Sequence, residues 1–272
     1  MISLRKIRLN RLKKISLDKR QKFAIETLVL TGGILLTQIM WTDYRFIMVF
    51  VLSLLSYGLT VWSLSEDIRR IEWIMLFILP VLYTASMSLF YFLLPERWIS
   101  RIIITVGFSI GMYAILLVEN ILNVAADRSI QLIRAAHSVG FLLTLTTTLL
   151  FSTIIFSLRL AYWQNMIIMA GISFLLALQS LWAVNLETRI TGRLILYSVL
   201  VAVGIGELSL ILSFWPIENS AFSLLLAASF YTMVGIAQLW FQERLFLNNL
   251  KEYLWVIVFT LILTYVTTRW GG

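Results

Sequence analysis

Of 272 residues, 60% are hydrophobic and 13% charged, about half the charged share of a soluble domain, and mean hydropathy is +0.90. A water-soluble fold cannot cover that apolar surface with so few charges, so the bilayer is the solvent for most of the chain. The absence of cysteine excludes disulfides, thiolate metal sites and a cysteine nucleophile, and the single histidine, His137, excludes paired-histidine haem ligation within one chain; no cofactor or metal site is expected.

The chain begins with a basic tail, residues 1–21. Residues 1–22 hold nine Lys/Arg and one Asp, a charge of +8; the remainder has 22 − 9 = 13 basic and 14 − 1 = 13 acidic residues and is neutral. The pI near 9.9 therefore reports the tail. Beside a hydrophobic run, such a tail suits anionic lipid headgroups and not nucleic acid. Its basic stretch is long and no small-x-small cleavage site follows TQIMW, so the first apolar run reads as an uncleaved membrane helix.

Nine runs then approach the length that crosses roughly 30 Å of hydrocarbon as a helix: residues 22–41, 44–64, 74–94, 100–122, 138–158, 164–186, 193–214, 220–241 and 253–268. The predicted fold class is an all-α polytopic membrane helix bundle of about nine spans. Eight is the alternative, because the last run is short and the 158–164 turn is tight. The runs are continuously apolar and do not alternate, which excludes β-barrel strands. Pro80 falls inside the third run and is expected to kink it. Landmarks such as Trp41, Pro95 and Glu119 recur about 121 residues on, at Trp163, Pro216 and Glu243. That spacing suggests two parallel four-helix units, residues 22–122 and 138–241, joined by an inner loop at 123–137 and followed by a loop and last helix at 242–272.

Charge orients the spans. With a cytoplasmic N-terminus, inner segments hold 17 Lys/Arg and outer segments five, which predicts N-in and, for nine spans, C-out across the cell membrane. The ten tryptophans all fall within a few residues of a predicted boundary, where an amphipathic indole anchors.

Two places invite a functional reading. Glu207 is the one charge in the run from Leu194 to Phe214. A carboxylate facing lipid there costs a few kcal/mol, so it must be neutralised, partnered or wetted. Gly204 and Gly206 beside it admit a close neighbour, and the offset of 121 places Ser86 opposite it in the first unit. Gln179, Tyr113, Tyr231 and the Thr84/Ser86/Ser88 group are candidate partners. A structural hydrogen bond and a proton- or cation-handling role compete for it. The second place is the inner stretch Glu119, Asn123, Asp127, Arg134 and His137. Glu119 and Asn123 share a helical face at i, i+4, and a turn around Asp127–Ser129 would supply an N-cap. A polar loop with a helix extension competes there with a gate or cation site. Gly107 and Gly111 form a GxxxG pair suited to close packing, and the hydroxyl-rich run Leu143–Thr153 is read as bonding its own helix backbone.

No phosphate-binding glycine loop, GxSxG elbow or HExxH is present. Three functions remain. The first is transport of a small solute or ion through Glu207, with proton-linked transport as one form of it. The second is a non-catalytic membrane subunit or scaffold, as a homo-oligomer or with partner subunits. The third is a lipid-handling enzyme at the cytoplasmic face.

Overall fold

The computed structural model describes residues 18–39, 44–65, 72–95, 97–124, 129–186 and 189–268. Among the described residues lie nine helices and no strand: α1 (Lys19–Ile39), α2 (Arg45–Leu64), α3 (Glu72–Tyr91), α4 (Trp98–Asn123), α5 (Ile130–Ser157), α6 (Tyr162–Asn185), α7 (Gly192–Leu212), α8 (Asn219–Phe241) and α9 (Leu247–Thr267). Eight of them, α2 to α9, are long and apolar enough to cross a membrane. The ninth, α1, carries Lys19, Arg20, Lys22 and Glu26 in its first turns. The protein is an all-helical polytopic bundle.

The predicted runs match these helices closely except at two starts. The expected loop at 123–137 is mostly helix, because α5 begins at Ile130. Ser129 caps it, its hydroxyl accepting from the Leu132 N–H at 3.4 Å, which satisfies one of the unpaired donors of the first turn. At 28 residues, α5 is about 42 Å long and exceeds the hydrocarbon thickness, so it tilts or its first turns project into the headgroup region. Likewise α9 starts at Leu247, before the predicted 253.

The tight turn is real. Leu158–Ala161 separates α5 from α6, with Arg159 at φ 49°. Leu186 and Glu243, just after α6 and α8, are also left-handed. Side chains at such positions, usually held by glycine, cost about 1 kcal/mol each. Through Pro80, α3 remains a single helix.

Contacts join opposite ends of successive helices: Asn165, near the start of α6, donates to the hydroxyl of Ser213, just past the end of α7. The chain therefore runs up and down. Helices α1 to α4 close a ring in which α1 packs on α2 and α4, and α3 packs on α2 and α4. Helices α5 to α8 close a second ring in the same order. The two rings join where α3 and α4 pack on α5 and α3 packs on α6, while α9 packs on α8.

Small residues set the closest approaches. Gly111 faces the Tyr83 ring, whose hydroxyl donates to the Gly107 carbonyl at 3.1 Å, so Gly111 is the member of the GxxxG pair whose missing side chain seats α4 against α3. Gly206 lies against Met166 and Ala170 of α6, and Gly204 lies under Met233 of α8. The glycines beside Glu207 thus serve helix packing against α6 and α8.

The tryptophans divide. Trp62, Trp98, Trp163 and Trp240 are exposed near helix ends, as anchoring requires, whereas Trp255 is exposed more than two turns inside α9. Trp182 is buried in the core, so anchoring is the wrong account of that residue: it faces the neighbouring helices.

Candidate functional site

The buried stripe of α4 recurs with helical period: Ile104, Phe108, Met112, Ile115, Glu119 and Leu122. Glu119 occupies a core position on that stripe and is fully buried. The Gln179 side-chain amide of α6, also buried, donates to Glu119 Oε1. A membrane core offers a carboxyl no water, so such a partner is needed for it to be tolerated there.

Around this pair is a cavity of ≈ 50 Å³, room for a few water molecules. It lies where the two rings meet: α4 gives Glu119, α5 gives His137 and Thr144, α6 gives Gln179 and Ser180, and α8 gives Gln238. Gln238 donates its amide to the Ser180 hydroxyl at 2.9 Å. His137 hydrogen-bonds the Ala183 backbone. Three polar atoms of this lining are buried without a hydrogen-bond partner: Glu119 Oε2, Gln179 Oε1 and His137 Nε2. With Glu119 ionised and the other imidazole nitrogen donating to Ala183, all three are acceptors. A cavity lined by unpaired acceptors is complementary to a cation or to a donor such as water.

The inner cluster of the sequence analysis is therefore partly assembled. Glu119 and His137 line one cavity. Asn123 is half-buried one turn beyond Glu119, with both amide atoms unpartnered. Arg134 is exposed on the first turns of α5, which point it away from the core. Asp127 lies outside the described residues.

The intramembrane set built on Glu207 is not assembled. Glu207 is exposed on α7, whose buried positions Leu194, Ser198, Val201, Ile205, Ser209 and Leu212 follow a helical stripe that passes it by. Ser86 is buried on α3 and donates to the Tyr83 carbonyl in its own helix at 2.9 Å. Gln179, a suggested partner for Glu207, is engaged with Glu119. Glu207 sits five residues before the end of α7, about 7.5 Å along the axis, close enough for its carboxyl to lean toward the headgroups. The correction has a simple cause: depth within an apolar run says nothing about which side of the helix a residue occupies.

The hydroxyls of α5 behave as local bonds. Thr144, Thr146, Thr147, Thr148, Ser152 and Thr153 each donate to the carbonyl four residues earlier.

Sequence reasoning passed over Glu26. It is fully buried on α1 and bonded by Thr60 of α2 at 2.6 Å. Its signal was present in the stripe Phe23, Glu26, Leu30 and Ile34, all buried.

The fold and this buried polar centre define a multi-pass helical membrane protein with an intramembrane carboxyl site. Residues 24–267 match the model of DUF5656, described as a protein of unknown function, and the chain belongs to that family. Neither the curated proteins nor the solved structures give a significant match.

Proposed function

We propose that this protein transports a small cation, a proton included, and that Glu119 is its binding group. The observation that carries the reading is the set of three buried, unpartnered polar atoms, Glu119 Oε2, Gln179 Oε1 and His137 Nε2, around one cavity between the helix rings. Buried ionisable groups in membrane helices mark ion and proton pathways more often than they serve packing, and a junction between two helix units is where transporters place their sites. In this reading the chain lies in the cell membrane with its N-terminus cytoplasmic and its C-terminus outside. The basic tail, residues 1–21, rests on anionic lipid.

The test is uptake by proteoliposomes under an imposed pH gradient, read with an internal pH dye and with radiolabelled monovalent cations. Glu119→Gln keeps the hydrogen-bonding shape and removes the charge; uptake should fall to the level of empty vesicles, with Glu207→Gln as the unaffected control. Equal uptake in wild type and Glu119→Gln would favour the scaffold role instead. The small volume of the cavity beside Glu119 favours a cation over an acyl chain as its occupant.

A further inference from the structure

A second concave region lies away from Glu119, between α7, α8 and the loop that follows α8, with Asn185 at the end of α6 on its rim. Its mouth is a pocket of ≈ 710 Å³ at the helix ends, where Arg193 opens α7 and Glu243 follows α8. Its continuation is an apolar groove of ≈ 370 Å³ lined by Leu200 and Val201 of α7 and Met233 and Ala237 of α8. The two share Tyr197, Trp240 and Leu245, so they form one continuous path from charged mouth to apolar end.

The dimensions of the path are those of one lipid leaflet. From Arg193 to Val201 is eight residues of α7, about 12 Å, and from Phe241 back to Met233 is eight residues of α8, the same rise. The hydrocarbon half-thickness is about 15 Å. The shared Tyr197 and Trp240 sit at the junction, the level at which amphipathic rings are favoured. Met233 closes the floor by lying over Gly204, where no side chain holds it off. The groove is also open sideways: Leu200 is 53% exposed and Trp240 56%, so a molecule can enter from the bilayer.

We propose that this path is a binding site for one glycerophospholipid whose headgroup carries both a phosphate and a primary amine. The Arg193 guanidinium takes the phosphate, the Glu243 carboxylate takes the ammonium, and an acyl chain lies between α7 and α8. A purely anionic headgroup would leave Glu243 opposed by like charge, and a quaternary amine would offer it no hydrogen bond. The site is independent of the transport reading and stands or falls separately from it.

Native mass spectrometry of the full chain, released from nanodiscs holding equal parts of phosphatidylethanolamine, phosphatidylcholine and phosphatidylglycerol, tests it. One phosphatidylethanolamine should persist after the other lipids are stripped. Arg193→Ala should lower its retention about tenfold, the worth of one charge-assisted contact. Glu243→Gln should erase the preference among the three lipids. Leu200→Trp, at an exposed position that the fold tolerates, should fill the groove and lower retention of every lipid. Equal retention of the three lipids by the wild type, or retention unchanged by Leu200→Trp, would show ordinary annular lipid and overturn the proposal. Displacement by water-soluble glycerophosphoethanolamine as effective as by the whole lipid would overturn it as well, since it would leave the groove without a role.

Discussion

The C-terminal turns of α4 and the C-terminal half of α7 each place a glutamate in an apolar helix, and the bundle treats them oppositely. Glu119 is on the buried stripe of α4, bonded by Gln179 beside a cavity. Glu207 is off the buried stripe of α7 and exposed. The difference teaches that a membrane helix has two apolar surroundings. One is lipid, where a carboxyl survives by leaning toward the headgroups; the other is protein, where it survives by finding a partner. Only the second can build a site.

The sharpest way to break this contrast is to make both positions apolar. Glu119→Leu strips Gln179 of its acceptor and removes the site's charge, so uptake should vanish. Thermal stability in detergent should also fall, by about 1–3 kcal/mol for the stranded amide. Glu207→Leu should leave uptake within about twofold of wild type and shift stability by no more than about 0.5 kcal/mol. Equal losses at the two positions would erase the distinction.

Packing around the buried stripe offers a middle-sized effect. Gly111→Ala would drive a methyl into the Tyr83 ring. It should cost about 1–3 kcal/mol, as overpacking generally does, visible as a lower unfolding midpoint in scanning fluorimetry. Gly107→Ala, where a Cβ meets nothing nearby, should be close to silent. A reversed order would mean that α3 and α4 pack on another face.

A smaller loss than that of Gly111→Ala is expected at the hydroxyl that completes this contact. Tyr83→Phe removes one bond to the Gly107 carbonyl and should cost about 0.6 kcal/mol, the average for a hydrogen bond between membrane helices. The same fluorimetric series resolves it from Gly111→Ala.

Much of the fold was legible in the residues. Continuous apolar runs located all nine helices, and Pro95 and the Leu158–Ala161 turn ended two of them near the expected places. The starts of α5 and α9 were missed because polar first turns, Ile130–His137 and Leu247–Glu252, do not look like membrane. The site was legible in part. Glu119 and Asn123 were singled out from their spacing and His137 as part of the same polar stretch, but Gln179 and Gln238 were not tied to them, because α6 and α8 meet α4 and α5 only through tertiary packing. Glu207 was singled out from its depth, the glycines beside it and the repeat offset, none of which gives the side of the helix. The phase of α7 already argued otherwise: Ser198, Ala202, Gly206 and Ser209 mark the buried side with small and polar residues, the usual composition of a helix interface in lipid.

Helices α8 and α9 mark the boundary between the two kinds of knowledge. Both are apolar enough to cross a membrane, yet 72% of the α8 span is buried in the protein and only 11% of the α9 span. Apolarity, length and charge bias come from the residues one by one, so the sequence alone determines that this chain is a bundle of membrane helices and roughly where each begins and ends. Which helix becomes the core, and which carboxyl is sealed inside it, was decided by tertiary structure. Lipid tails are as apolar as leucine, so hydropathy does not distinguish a face covered by the bilayer from one covered by another helix.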